Sequence, residues 1–243
     1  MNEVDNYSNE SLGREVRSET AVKSFMANVF TYMAGALAIT AVFAYWFAQS
    51  QDLMSYLINF ETGGPTMLGW VVTFAPLIFV FGMSMSFNRL SSFALLLLFI
   101  AFSAIMGISF SFIFLAYTAS SITSTFLITA GTFGAMALVG YTTSTDLTKF
   151  GGILMMALIG LIVAMVANMF MGSGTLDYII SCAGVLIFTG LTAYDVQKLK
   201  RIGSGQEYGA EAANKLAIMG ALNLYLDFIN LFLFLLRLFG DRR

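Results

Sequence analysis

Two aspartates in the last quarter of the chain are the residues best suited to chemistry. Asp195 lies in the run FTGLTAYDVQKLK at 188–200, and Asp227 lies in the run ALNLYLDFINLFLFLLRLF at 221–239. Both belong to apolar stretches long enough to cross a bilayer as helices. A charged carboxylate at the centre of a bilayer costs about 2.5–3.5 kcal/mol on insertion scales, so an acid kept there indicates a function.

We predict that these two carboxyl groups act as a pair that shares one proton. In a medium of low dielectric both cannot ionise without a large free-energy cost, because each loses its hydration and repels the other. Their two titration steps then belong to the pair and not to either residue. With one proton the pair is hydrogen-bonded. Without it, the carboxylates repel each other and present oxygen atoms suited to a hard cation such as Ca²⁺.

A purely structural role stays open for each acid. Asp195 is closer to the polar end of its stretch, where Lys198 could neutralise it as an interfacial residue. Asp227 lies deeper in its stretch, so a structural explanation fits it less well. The pairing also requires the two acids to lie at the same depth in the bundle, which their different distances from the helix ends do not guarantee.

Polar residues accompany Asp227 along the last apolar stretch. They are spaced by four, three and seven residues: Asn223, Asp227, Asn230 and Arg237. This spacing places them on one face of a helix. Such a face is expected to meet other helices or a water-filled path and not lipid. Because its other sides are densely apolar, the last helix is predicted to lie at the centre of a bundle.

Composition places the chain in a membrane and excludes histidine chemistry. Of its 243 residues 58% are hydrophobic and 11% charged, whereas a soluble domain has about 25% charged residues. There is no histidine, and the one cysteine, Cys182, lies in an apolar stretch. The usual metal ligand and general base are thus missing. Proton chemistry in the membrane must use carboxylates, and we expect neither a bound cofactor nor a nucleic-acid partner.

The apolar pattern predicts an all-α polytopic membrane protein with seven transmembrane helices. Residues 1–22 are polar and are predicted to form a flexible N-terminal segment, followed by a single transmembrane domain at 23–243. Small residues within the helices are expected to allow close packing: Gly131, Gly134, Gly151, Gly152, Ala183 and Gly184. The helices are expected at 25–48, 66–87, 92–117, 123–143, 150–171, 178–199 and 215–239.

The distribution of lysine and arginine predicts a cytoplasmic N-terminus. Alternate loops fall into two sets, and the set opposite the N-terminus, at 49–65, 118–122 and 172–177, contains no lysine or arginine. Cytoplasmic loops carry the excess of these residues. Seven crossings leave the basic tail with Arg242 on the opposite side, so an incomplete last crossing is the alternative. We expect the crossing to be complete.

The stretches that hold the two acids resemble the Bax inhibitor-1 (transmembrane Bax-inhibitor-motif) family, in its bacterial branch. The resemblance rests on LTAYDVQKLK followed by LYLDFINLFLFLLRLFG and extends from about residue 22 to the end. It implies two layers of three helices around a central C-terminal helix. It also implies a pH-sensitive calcium leak in the bacterial inner membrane, with Ca²⁺ bound transiently near Asp195 and Asp227. Arg89 matches a family arginine that acts as a latch on one carboxylate.

Two other functions stay open. Some bacterial members of this family modulate a membrane-anchored AAA protease, so the chain could be a regulatory binding partner that contacts it through residues 1–22. An intramembrane aspartyl protease is suggested by the adjacent Tyr194 and Asp195. Against the protease, Asp227 lies in LYLDF and not in a Gly-x-Gly-Asp run, and the only prolines, Pro65 and Pro76, are far from both acids. We therefore expect a protein that is not an enzyme.

Overall fold

The chain folds into long helices joined by short connections. The computed structural model describes the backbone of residues 2–205 and 209–242, and the side chains of residues 19–205 and 209–242. Two short strands, β1 (Ile58–Asn59) and β2 (Gly64–Pro65), pair in antiparallel fashion before the third helix. The helices are α1 (Asn2–Gln49), α2 (Gln51–Leu57), α3 (Met67–Ser86), α4 (Ser92–Phe110), α5 (Ile113–Ala116), α6 (Ala119–Thr142), α7 (Thr148–Met171), α8 (Gly174–Ser204) and α9 (Ala210–Phe239).

Seven helical spans in the described ranges are long and apolar enough to cross a membrane. Each corresponds to one predicted span, with ends that differ by a few residues. The third span combines α4 and α5, and the first starts at Glu19. The chain is therefore an integral membrane protein of the all-α polytopic class, as predicted, and its apolar surface contacts the lipid bilayer. The division between residues 1–22 and a domain at 23–243 stays a prediction.

Hydroxyl side chains cap the start of four membrane helices. Thr66 accepts a hydrogen bond from the backbone N–H of Gly69 at the start of α3, and Ser91 accepts one from Ala94 at the start of α4. Thr118 and Ser173 cap α6 and α8 in the same way. Such caps satisfy backbone N–H groups that have no partner within the helix. The predicted loop at 49–65 contains α2 and the β1–β2 hairpin.

The membrane helices form two layers of three, with α9 between them. In the first layer α4 contacts both α1 and α3, and in the second α8 contacts both α6 and α7. Helix α9 packs against α1 and α4 on one side and against α6 and α8 on the other. In an apolar 18-residue stretch of α9, 72% of the residues are buried, against 11% in α7. The central C-terminal helix is therefore confirmed.

Helix α9 crosses the bundle completely. At its start, Glu211 accepts hydrogen bonds from the backbone N–H and the hydroxyl of Ser92, the first residue of α4, at 2.7 and 2.8 Å. Beyond its end, the carbonyl of Asp241 accepts a hydrogen bond from the N–H of Thr118 at 3.1 Å, next to α5. Helix α9 therefore begins on the side of the bundle where α4 begins, and it ends on the opposite side, where α5 ends.

The expectation that glycines allow close packing is right at some positions and wrong at others. A Cβ atom added at Gly151 would collide with the ring of Tyr194, and one at Gly184 would lie 2.6 Å from the ring of Phe234. At Gly131, Gly134 and Gly152, in contrast, the described residues leave open space around the added atom. Glycine spacing shows where a neighbour could approach, but not which face of the helix the neighbour meets.

Candidate carboxylate site

Asp195 and Asp227 lie side by side where the antiparallel helices α8 and α9 pack against each other. The alignment of the two helices fixes this pairing: seven residues from each acid, the rings of Phe188 and Phe234 stack with their centroids 5.8 Å apart. The two carboxyl groups are hydrogen-bonding neighbours. The acids therefore lie at the same depth, which is the geometric condition for a shared proton.

The burial of the pair is unequal. Asp227 is only 6% exposed, whereas Asp195 is half-buried. Within the described ranges, Oδ2 of Asp227 is buried and accepts no hydrogen bond from any N–H or O–H group. A buried acceptor without a donor costs free energy, and a proton on the neighbouring carboxyl would remove that cost. Lys198, exposed one turn along α8, is close enough for its charge to act on Asp195.

The predicted polar face of α9 is divided in the structure. Asp227 points into the bundle, whereas Asn223 is exposed and Asn230 is half-buried, its Nδ2 donating to the carbonyl of Leu226 at 2.8 Å. With 3.6 residues per turn, Asp227 is rotated about 40° from Asn223 and about 60° from Asn230. Asn223 therefore does not face other helices, and the alternative expectation for it, a water-filled path, stays a prediction.

Arg237 is also exposed and lies near the C-terminal end of α9, on the same side of the helix as Asn223. Its guanidinium is 3.8 Å from the carboxylate of Asp177 and 5.6 Å from the ring centroid of Phe234. Because Phe234 stacks on Phe188, the ion pair and the two rings together lie between the carboxyl pair and the C-terminal end of α9.

Arg89, the candidate latch, forms no ion pair with either acid in the part of the chain that the structure describes. It lies exposed on the turn between α3 and α4, where its backbone N–H donates to the carbonyl of Ser86 at 2.9 Å. No ion pair or hydrogen bond of its side chain to another described residue is present. The proposed contact with an ionised carboxylate stays a prediction.

A second polar cluster on α8, not found by sequence reasoning, begins two residues after Asp195. The buried side chain of Gln197 accepts a hydrogen bond from the N–H of Leu147 at 2.9 Å and donates one to the carbonyl of Thr145 at 2.8 Å. It also accepts one from Arg201 at 2.7 Å. These contacts hold the connection between α6 and α7 against the end of α8. We name this cluster the loop clamp: Asp146, Thr148, Gln197, Lys200 and Arg201.

The outer part of the loop clamp is charged. Arg201 forms an ion pair with Asp146, and Lys200 donates to the carbonyl of Tyr141 at 2.7 Å. Hydrogen bonds from Thr148 and from Arg201 hold the pKa of Asp146 well below its usual range. The spacing of three and four residues within QKLKR places Gln197, Lys200 and Arg201 on one helix face, and this was the signal that could have revealed the clamp.

A buried hydroxyl network joins α9 to α1 and α4, two residues before Asp227. The hydroxyl of Thr40 on α1 donates to the carbonyl of Ser103 on α4 at 2.9 Å. Its proton is thereby used, so the hydroxyl of Tyr225 is the donor in the 2.8 Å contact with Thr40. The Tyr225 ring meets Phe99 and Phe102 edge-on. This network joins three helices next to the carboxyl pair and limits the movement of α9 at that depth.

The fold and this site define a class: a seven-helix membrane protein whose last two helices bring two acids together in the interior. The family model described as "Inhibitor of apoptosis-promoting Bax1" matches residues 22–243. The chain therefore belongs to the Bax inhibitor family, and the resemblance noted from the sequence is confirmed.

Several bacterial proteins are similar over nearly the whole chain. The inner membrane protein YbhL of Escherichia coli is 44% identical over 230 residues, which cover 94% of this chain and 96% of YbhL. A protein of Borreliella burgdorferi is 43% identical over 228 residues, covering 93% and 96% of the two chains. The protein RP147 of Rickettsia prowazekii is 40% identical over 228 residues, covering 93% and 92%.

Proposed function

We propose that this chain is a pH-sensitive calcium leak of the bacterial inner membrane, gated by the proton-sharing pair Asp195 and Asp227. The observation that carries the proposal is the buried Oδ2 of Asp227, which has no donor among the described residues although a second carboxyl group is its neighbour. A single shared proton satisfies this arrangement, and the loss of that proton breaks it. The site therefore responds to pH without a histidine.

The structure corresponds to the closed form in this proposal. With one proton, the carboxyl groups bond α8 to α9 at mid-bundle. Seven residues away, the stacked rings of Phe188 and Phe234 close the space between the same two helices. Phe234 lies against Gly184, where any larger residue would collide with its ring. Opening therefore requires both the separation of the acids and the displacement of this aromatic stack.

Loss of the shared proton supplies the force for opening. Two carboxylates in contact repel each other strongly in a medium of low dielectric, and separation lets water and a cation reach them. A resident Ca²⁺ site takes about 6–8 oxygen ligands, whereas two carboxyl groups offer four. Ca²⁺ would therefore keep part of its hydration and pass through, which suits a leak better than storage.

Arg89 enters this proposal as the latch of the open form. Its exposed side chain, which has no ion pair among the described residues, is free to move. When both acids ionise, a negative charge appears that an arginine could bind. The latch and the choice of Ca²⁺ as the permeant ion are the parts of the proposal that depend on the family resemblance.

The membrane and the orientation belong to the same proposal. The E. coli relative is named an inner membrane protein, and nine of the twelve lysines and arginines of the sequence lie on the N-terminal side. By the positive-inside rule, this side faces the cytoplasm. The loop clamp and Arg89 are then cytoplasmic, and Arg237 lies at the opposite surface.

The test is calcium flux into proteoliposomes loaded with a calcium-sensitive dye, measured from pH 6 to pH 8. Because loss of the shared proton opens the path, we expect the flux of the wild-type protein to rise with pH. The double variant Asp195→Asn, Asp227→Asn should lose this rise, because amides do not titrate. Asp52→Asn is the matched control: it removes an exposed acid of the first loop and should leave the profile unaltered.

A flux that is independent of pH in the wild-type protein, or unaltered by the double variant, would refute the proposed gate. A complete absence of flux would favour the alternative of a regulatory partner for a membrane-anchored AAA protease. We further propose that the chain is not an enzyme. Against the aspartyl-protease alternative, Asp227 is only 6% exposed, which leaves a peptide substrate no room against its carboxyl group.

A further inference from the structure

The surface that faces lipid contains a groove between the two layers. It is about 430 Å³ in volume and lies between α1 and α6, which stand apart at this point. Each helix contributes residues at i, i+3, i+4 and i+7, the spacing of a single helix face. We name it the Lys23 groove, and its lining is Lys23, Met26, Ala27 and Phe30 of α1 with Gly134, Ala137, Leu138 and Tyr141 of α6.

The interior of the Lys23 groove is apolar, and Gly134 keeps it open. A Cβ atom at Gly134 would meet no other described atom within 4 Å, so the space above this glycine is vacant of protein. From Lys23 to Phe30 the groove extends about 10 Å along α1 at a rise of 1.5 Å per residue. Its shape and polarity suit a hydrocarbon chain.

One end of the Lys23 groove is positively charged. The Lys23 side chain is 70% exposed, and its contact with Glu19 at 3.8 Å joins two exposed groups. Such a surface pair is weak, so the Lys23 ammonium can release the Glu19 carboxylate and bind another anion. Behind Tyr141 lies a second cation: Lys200 Nζ is 4.9 Å from the centroid of the Tyr141 ring. The charge therefore stands where the apolar groove reaches the polar surface.

We propose that the Lys23 groove binds one anionic phospholipid from the leaflet that contains Lys23. The phosphate would lie at Lys23, with the ring of Tyr141 and Lys200 beside it, and one acyl chain would run past Gly134 toward Phe30. A zwitterionic lipid could place the same chain in the groove, but it would gain less from the two cations. This binding does not depend on any calcium leak.

The experiment measures lipid binding to the purified full chain in detergent by native mass spectrometry. Phosphatidylglycerol and phosphatidylcholine with identical acyl chains are titrated against the wild-type protein and four variants. Lys23→Gln removes the charge, and Gly134→Leu fills the groove. Lys149→Gln and Gly152→Leu are their matched controls, since Lys149 is an exposed lysine at the same side and Gly152 also has open space around its Cβ position.

We expect the wild-type protein to bind phosphatidylglycerol about fivefold more tightly than phosphatidylcholine, the factor that one lysine near a membrane surface supplies. Lys23→Gln should reduce this preference, since only Lys200 remains beside the phosphate, and should keep phosphatidylcholine binding, whereas Gly134→Leu should weaken binding of both lipids. Both controls should behave as wild type. Equal affinity for the two lipids, or the same loss with Lys149→Gln as with Lys23→Gln, would overturn the proposal. If Gly134→Leu does not fold, the two lysine variants still decide.

Discussion

Two polar groups on α8 lie only two residues apart and differ in how their hydrogen bonds are satisfied. The side chain of Gln197 uses both its oxygen and its nitrogen in hydrogen bonds to the connection at 143–147. The carboxyl group of Asp195 adjoins Asp227, whose buried Oδ2 has no donor among the described residues. Of these two groups, only the Gln197 side chain has both its oxygen and its nitrogen hydrogen-bonded to described residues.

This difference separates a structural contact from a candidate switch. A buried polar group whose partners are all present makes the fold specific and rigid. A buried acid whose partner depends on a proton from solvent has two states, and the proton concentration selects between them. The loop clamp and the carboxyl pair are therefore expected to respond differently to the same kind of substitution.

The largest effect is expected at the loop clamp. Gln197→Ala removes the hydrogen bonds to the N–H of Leu147 and the carbonyl of Thr145. At about 0.5–1.5 kcal/mol net for each bond, we expect a loss of about 1–3 kcal/mol in the free energy of unfolding. Thermal unfolding in detergent measures it, and Lys149→Ala, which removes an exposed side chain near the same surface, is the control. A loss equal to that of the control would show that the clamp does not stabilise the fold.

An effect of opposite sign is expected at the carboxyl pair. In Asp227→Asn, the new amide can donate to the Asp195 carboxylate without a proton from solvent. We expect the variant to be more stable than wild type at pH 8 by about 1 kcal/mol, the typical net value of a hydrogen bond. The unfolding temperatures of the two proteins should approach each other as the pH falls and the wild-type pair regains its proton. Destabilisation at pH 8 comparable to that of Gln197→Ala would remove the distinction between the two groups.

The smallest effect is expected at the exposed edge of the loop clamp. Thr148 and Arg201 lower the pKa of Asp146 in the folded protein, so its contacts contribute stability above the ordinary aspartate pKa of about 3.9 and lose it as the pH falls further. Asp146→Asn should remove this small acid-dependent loss. Hydrogen exchange of the backbone amides at 143–147, compared at pH 7 and pH 3 in the wild-type protein and the variant, measures this loss. The same pH response in both proteins would exclude Asp146 as the source of the acid-dependent loss.

The sequence was sufficient for the helices and for the central position of the last one. Seven long apolar stretches leave few alternatives, because each must satisfy its own backbone in lipid. The high cost of a carboxylate in a bilayer likewise pointed to Asp195 and Asp227 before their contact was known. Their equal depth, however, depends on how α8 and α9 slide against each other, and the Phe188 and Phe234 stack fixes this only in three dimensions.

Other features could not be predicted because they depend on which surfaces meet. Gln197 reads as an ordinary polar residue at a helix end until the 143–147 connection folds onto it. Gly134 and Gly151 look equivalent in sequence, yet one faces open space and the other the ring of Tyr194. Asn223 shares the spacing of Asp227 but lies beyond the edge of the packed face.

The central position of α9 also has a consequence for biogenesis. During translation this helix is synthesised after the six membrane helices that precede it, including α1, α4, α6 and α8, which pack against it. Until Tyr225 and its neighbours arrive, Thr40 has no phenol to accept from, and the two layers lack most of the surface that joins them. We therefore expect the two layers to reach their final packing only when α9 inserts between them.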